Sequence, residues 1–150
     1  MQFIAEKPSP ASEDKGIHIL LVDDDQDINY TLRMLLEAEG YHVYSADNET
    51  QAKAIVEERR IDLSIIDYVL EDTSGAGIAR ALKRIDESLK IIFLSGSIKV
   101  LDVVDTLEFR VSKVFLKPVD PIVFLDTVHT VLMEPDYATQ GMWAEKHSIY

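Results

Sequence analysis

Five times between Ile17 and Leu132, a short and nearly continuous apolar run gives way to a stretch in which apolar residues recur at helical spacing. The runs are Ile17 to Val22, Tyr41 to Ala46, Ile61 to Ile66, Lys90 to Leu94 and Ser112 to Leu116. The helical stretches carry the stripes Ile28-Leu32-Leu35-Leu36, Ile78-Leu82-Ile85, Val100-Val103-Val104-Leu107 and Ile122-Leu125-Val128-Leu132. One more helix, capped by Asp47 or Asn48, runs to Arg59, and Gly40 is a stop signal after the first. Strands this apolar cannot face water on either side, so the alternation predicts an α/β fold in which a parallel sheet lies between two helix layers. Right-handed crossovers distribute the helices over both faces. In such a sheet, functional residues gather beyond the carboxyl ends of the strands, near the point where the strand order reverses.

A chain of 150 residues closes one hydrophobic core and is too short for two ordinary domains. With 47% hydrophobic and 28% charged residues it has the balance of a globular protein, and it contains no apolar run of bilayer-spanning length. Met1 to Gly16 is interrupted by Glu6, Lys7, Glu13, Asp14 and Lys15, which argues against a secretory signal and for a cytoplasmic protein with no membrane partner. Pro8, Ser9, Pro10 and Ser12 mark residues 1–15 as a flexible leader, and residues 16–133 as the folded domain. Residues 134–150 read as a tail, too short for an output domain, with Tyr137, Met142, Trp143 and Tyr150 suited to packing on the domain or on a second copy. The absence of cysteine removes disulfides, thiolate metal sites and cysteine nucleophiles. A net charge of -12 repels phosphate backbones, so the folded body is not expected to bind nucleic acid directly. His18, His42, His129 and His147 lack metal-ligand spacing and are assigned no chemistry.

The strand ends carry a consistent chemistry. The first ends in Asp23, Asp24 and Asp25, the third in Asp67, the fourth in Ser95 and Gly96, and the fifth in Lys117 and Pro118. Taken singly, an acidic run before a helix is a cap, Asp67 a turn residue and Lys117 a solvated charge. Taken together, they bring carboxylates, a hydroxyl and an ammonium to one rim. Clustered carboxylates need a cation, and an all-oxygen donor set selects a hard one such as Mg2+.

The segments Leu21-Val22-Asp23-Asp24-Asp25, Ile65-Ile66-Asp67, Phe93-Leu94-Ser95-Gly96 and Phe115-Leu116-Lys117-Pro118 resemble the receiver domain of two-component response regulators, over about residues 16–133. The resemblance implies a flavodoxin-like (βα)5 fold with sheet order 2-1-3-4-5. It implies a signalling switch rather than an enzyme. Asp67 would accept a phosphoryl group from a sensor histidine kinase or a histidine phosphotransfer protein. Asp24, Asp67 and the backbone carbonyl of Val69 would ligate Mg2+, with Asp23 acting through bound water. Ser95 and Lys117 would contact the phosphoryl oxygens, and Val69 and Ser97 would tune its lifetime. The surface of the fourth helix, fifth strand and fifth helix would be the docking or dimerisation face, for a downstream protein the sequence does not name.

The chain departs from the family at several places. Glu71 replaces the usual proline after the acceptor, Ser74-Gly75 replaces Asp-Gly, and Arg110-Val111 replaces Gly-Ala before the fifth strand. Val114 stands where many receivers carry a Tyr or Phe that turns inward on activation. Phe115 points to the opposite face and reads as core, so the signal is expected to leave by loop and fourth-helix displacement. A pseudo-receiver, keeping the fold without phosphorylation, is the rival reading. A haloacid-dehalogenase-like phosphohydrolase fits less well, because Asp27 stands where that family has Thr or Val. Asp23, Asp25 and Asp27 imitate a calcium loop, but Ile28 and Met34 occupy its glycine and glutamate positions. A flavin phosphate would be repelled by the three carboxylates.

Overall fold

The computed structural model describes residues 16–69, 74–135 and 147–149 of the chain. Its strands are β1 (His18–Val22), β2 (His42–Ala46), β3 (Leu63–Asp67), β4 (Lys90–Ser95), β5 (Val111–Leu116) and β6 (His147–Ile149). Its helices are α1 (Gln26–Ala38), α2 (Glu49–Glu58), α3 (Gly75–Ile85), α4 (Val100–Val104) and α5 (Pro121–Met133). The pairings between these strands are all parallel, in the order β2-β1-β3-β4-β5-β6.

The order expected for the first five strands is observed, and a sixth strand is added. Residues 147–149, read from sequence as part of a tail, pair with β5, whose outer backbone edge would otherwise carry unpaired polar groups. The leader at residues 1–15 and the tail aromatics Tyr137, Met142, Trp143 and Tyr150 lie outside the described residues, as does Glu71.

Two apolar cores sandwich the sheet. Alternate residues of each strand point to opposite faces, so Leu20, Val22, Ile66, Phe93 and Val114 pack with Ala52, Val56, Ile78, Leu82, Val100 and Val104 on the α2–α3–α4 side. Ile19, Leu21, Ile65, Leu94 and Phe115 pack with Leu32, Leu36, Phe124 and Val128 on the α1–α5 side. Every residue of β1 and β3 is buried, as expected of central parallel strands. Helix starts follow their caps: Asp25, Asn48, Ser74 and Asp120 each accept backbone N–H bonds from the first turn. Helix α4 is shorter than its apolar stripe suggests and has no side-chain cap. Gly40, with φ 94°, ends α1 in the left-handed region that glycine enters without steric cost.

The strand order reverses around β1, which has β2 on one side and β3 on the other. This places the crevice at the carboxyl ends of β1 and β3, the ends that carry Asp23 and Asp67.

Candidate functional site

Asp23 follows β1 directly, and its N–H donates to the Ala46 carbonyl at 3.0 Å, which fixes it to the end of β2. Its side chain is buried at 3% exposure. One oxygen, Oδ1, accepts the Asp25 N–H at 2.8 Å, while Oδ2 is buried with no hydrogen-bond partner. Burial, ahead of all other influences, pushes the Asp23 carboxyl up from 3.8 to about 6; the nearby Asp67 and Asp24 charges push the same way, while the Asp25 N–H and Lys117 oppose them. Asn29, buried on α1, donates to the Asp23 carbonyl at 3.4 Å and accepts from the Ser45 hydroxyl at 2.7 Å, tying α1 to β2 behind the acid.

Asp67 is the last residue of β3 and is nearly buried at 7% exposure. Carboxylate oxygens of Asp23, Asp24 and Asp67 lie within 4.8 Å of one another. Across the rim, the Lys117 ammonium lies 3.2 Å from Asp67 Oδ2. Its backbone is placed by a bond from the Lys117 N–H to the Ser95 carbonyl at 2.8 Å. Asp23, with one buried oxygen orphaned, and two further carboxylates close by form an all-oxygen group that could hold a hard metal ion.

The remaining sequence candidates fall around this centre. Asp25 takes the plainer of its two roles, capping α1 through the Asp27 and Ile28 N–H groups at 3.0 and 3.2 Å. Val69 is exposed, and its N–H donates to Asp67 Oδ1 at 3.3 Å. Ser95 is fully buried at the end of β4, where its hydroxyl donates to the Ser97 carbonyl at 2.9 Å and accepts the Ser97 N–H at 3.0 Å. Val114 and Phe115 face opposite cores, and the Phe115 ring packs on Phe124 with centroids 5.5 Å apart.

Three contributors are absent from the sequence reading of the site. Gly75 opens α3 so close to the acceptor backbone that a Cβ there would stand 2.6 Å from the Asp67 carbonyl oxygen and 2.8 Å from Tyr68 Cα. A glycine directly after a Ser cap is the local signal for such an approach. Tyr68, next to the acceptor, meets Phe93 edge-on with ring centroids 5.7 Å apart. Asn29 carries no sequence signal beyond a polar residue within an apolar helix face. Gly96 differs from Gly75: a Cβ there meets nothing within 4 Å, so packing does not require glycine.

Among the described residues no helix is long and apolar enough to cross a membrane. Residues 19–129 match the family described as response regulator receiver domain. The phosphate regulon transcriptional regulatory protein PhoB of Pseudomonas aeruginosa is 36% identical over 109 residues, which cover 71% of this chain and 47% of that protein. The response regulator receiver protein CpdR of Brucella abortus is 37% identical over 100 residues, 67% of this chain and 83% of that one. The chain thus spans less than half the length of PhoB and most of CpdR. A solved CheY-like receiver domain protein from Methanospirillum hungatei superposes with a TM-score of 0.72 at 27% identity, covering 78% of this chain and 94% of that one. On the match over residues 19–129, the chain belongs to the response regulator receiver domain family of two-component signalling.

Proposed function

We propose that Asp67 is a phosphoacceptor: one carboxylate oxygen forms a bond to the phosphorus of a phosphohistidine donor as the nitrogen–phosphorus bond breaks and the imidazole leaves. The observation that carries this reading is the 3.2 Å contact between Asp67 and Lys117 beside a carboxylate cluster whose Asp23 Oδ2 is orphaned. Asp24, Asp67 and the Val69 carbonyl would hold Mg2+, with Asp23 acting through bound water. When bound, the ion supplies positive charge against the oxygens of the transferring group.

The chain's own residues do the rest. Lys117 orients the acceptor and then pairs with the new phosphoryl charge. The Ser95 hydroxyl, engaged with Ser97 before transfer, turns to a phosphoryl oxygen; the segment from Ser97 into α4 loses that tie and shifts. This gives a route from the acceptor to the α4–β5–α5 surface that needs no aromatic at position 114. Ser97 and Val69, beside the acceptor, tune how long the acyl phosphate survives.

We place this exchange in the cytoplasm, with a sensor histidine kinase or histidine phosphotransfer protein as donor and a protein, or a second copy of the chain, as target. The net charge of -12 favours basic protein surfaces over nucleic acid for the receiver body. The test is mass spectrometry after treatment with acetyl phosphate and Mg2+. One added phosphoryl group in the parent and none in Asp67→Asn supports the reading. No addition in either chain would make this a pseudo-receiver, and repeated turnover of a small phosphate ester would make it a phosphohydrolase.

A further inference from the structure

Helix α1 buries an apolar stripe against the sheet, but its first buried position is an amide. Asn29 stands three and seven residues before Leu32 and Leu36, which pack in the α1–α5 core, and it is 6% exposed. Opposite it, on β2, Ser45 lies on the same face as Val43 and is in register with Leu21, both members of that core. Two polar side chains thus occupy an interface in which apolar ones would pack, a cost that hydrogen bonding must offset. The Ser45 hydroxyl donates to Asn29 Oδ1 at 2.7 Å, and Asn29 Nδ2 donates to the Asp23 carbonyl at 3.4 Å. A carbonyl can only accept, so the Asp23 bond fixes which end of the amide faces Ser45, and the serine proton is committed to Oδ1.

We infer that Asn29, oriented by Ser45, is a positioning residue for the acids of the metal site, and that the pair sets the affinity of that site for Mg2+. The inference rests on the reading of Asp23 and Asp24 as acids that serve the ion. The carbonyl that Asn29 holds belongs to the peptide group joining those two residues. That group is planar, so its tilt decides where the nitrogen and Cα of Asp24 stand. The other restraints on Asp23 come from elsewhere, since its N–H is bonded to Ala46 and its Oδ1 to the Asp25 N–H. Those bonds hold the strand end and the carboxylate, whereas the Asn29 bond holds the link that leads to Asp24. Asn29 therefore acts through the backbone of the acids rather than on the ion, and Ser45 acts one step further back, through Asn29. Outer partners that orient metal-holding groups typically change affinity by about 10- to 100-fold when removed.

The test is calorimetric titration of the full chain with Mg2+ at neutral pH, without phosphodonor, beside thermal unfolding of each variant without metal. Leucine has the branched shape of asparagine without its hydrogen-bonding groups, so Asn29→Leu continues the apolar stripe and removes the bond. Kd is expected to rise about tenfold in Asn29→Leu and by a smaller factor in Ser45→Ala. Ser45→Thr, which keeps a hydroxyl, is expected to bind as the parent does. Adding Ser45→Ala to Asn29→Leu is expected to change Kd no further, because the serine acts only through the amide. That double variant replaces both partners of the Ser45–Asn29 bond by apolar groups and is expected to unfold within a few degrees of the parent. Parent-like Mg2+ binding in Asn29→Leu, or additive effects of the two substitutions, overturns the inference. So does a weakening confined to variants that unfold at a lower temperature than the parent. Asp24→Asn distinguishes failure of the site itself: if the parent binds no Mg2+, or Asp24→Asn binds it as the parent does, the metal reading falls and this inference falls with it.

Discussion

Lys117 Nζ stands 3.2 Å from Asp67 Oδ2, although 50 residues separate the two in sequence. The contact joins the ends of two strands that are not neighbours, since β4 lies between β3 and β5. The ammonium therefore reaches across the end of β4, past Ser95, to the acceptor. Asp67 is nearly buried and lies among carboxylates, with this ammonium against one of its oxygens.

Replacing Lys117 with Met keeps the length of the stem and removes the charge. Loss of one donor aimed at the developing phosphoryl charge is expected to slow phosphorylation by acetyl phosphate on the order of 10²-fold. Asp67 then has two carboxylate neighbours and no ammonium. Arg in place of Lys117 restores charge but not the compact geometry, and should recover only part of the rate. The check is the rate of appearance of the phosphorylated mass in the parent, Lys117→Met and Lys117→Arg. Equal rates in all three would remove Lys117 from the chemistry.

Asp23 gives a pH prediction. Its folded pKa lies above its ordinary value, from 3.8 to about 6, so between those limits the folded protein binds more protons than the unfolded chain. Stability contributed by this group is therefore lost as pH rises through that window. The penalty on the charged form is roughly 3 kcal/mol, as an order of magnitude for a buried carboxylate. Asp23→Asn keeps the oxygen that accepts the Asp25 N–H and removes the buried charge. Urea unfolding without divalent ions should show a stability advantage for Asp23→Asn that is small near pH 4 and grows toward pH 7. Mg2+ should reverse the order at pH 7 by stabilising the parent more than the variant, and this gain should vanish below about pH 5, where the proton displaces the metal. An advantage independent of pH would disconnect the orphaned oxygen from the stability of the site.

Gly75, packed against the acceptor backbone, and Gly96, which follows Ser95, should respond differently to the same added methyl group. A Cβ at Gly75 meets backbone atoms of Asp67 and Tyr68 at 2.6 and 2.8 Å, and backbone cannot swing aside as a side-chain end can. Gly75→Ala should cost about 1–3 kcal/mol and slow phosphorylation by moving the acceptor. At Gly96 nothing lies within 4 Å, so Gly96→Ala should leave thermal stability within the range of an ordinary surface change, about 0.5 kcal/mol. Any slowing of phosphorylation in that variant would then report donor access rather than folding. Paired thermal melts and phosphorylation rates separate the two effects.

The five strands and the convergence of Asp23, Asp24, Asp67 and Lys117 are legible in the sequence because four of the five apolar runs end at their chemistry, while the strand order follows from the resemblance to receiver domains. A period of two or of 3.6 residues names the element, and the last residue of the run names its contribution. The less legible parts are those set by pairing across distance. Residues 147–149 have no strand-length apolar pattern, and their pairing with β5 brings together positions more than 30 residues apart. The engagement of Ser95 with Ser97 is a rotamer choice that two serines in sequence do not specify. The shortness of α4 was likewise hidden, because its apolar stripe continues to Leu107, which is buried beyond the helix end.

Val114 offers the sharpest test of how a signal leaves the acceptor. It is fully buried, and its partner across the ladder is Phe93, which is itself fully buried and meets Tyr68 edge-on. The aromatic at this level of the core therefore sits on β4, one strand nearer the acceptor than the ring that many receivers carry on β5. Room for a second ring is lacking: Val114→Phe adds bulk beside Phe93, Val100 and Val104 in a closed core and should cost about 1–3 kcal/mol in urea unfolding. Asp67 and Lys117 lie beyond the packed region, so that variant should still accept a phosphoryl group. Tyr68→Leu keeps the apolar contact with Phe93 but removes the edge-on ring, and should likewise phosphorylate. If the path runs from Asp67 through the Ser95–Ser97 segment to α4, phosphorylation should raise hydrogen exchange in α4 in the parent and in Tyr68→Leu alike. A response lost in Tyr68→Leu would instead make the Tyr68–Phe93 pair the mechanical link, with the ring on β4 taking the place of the missing one at position 114.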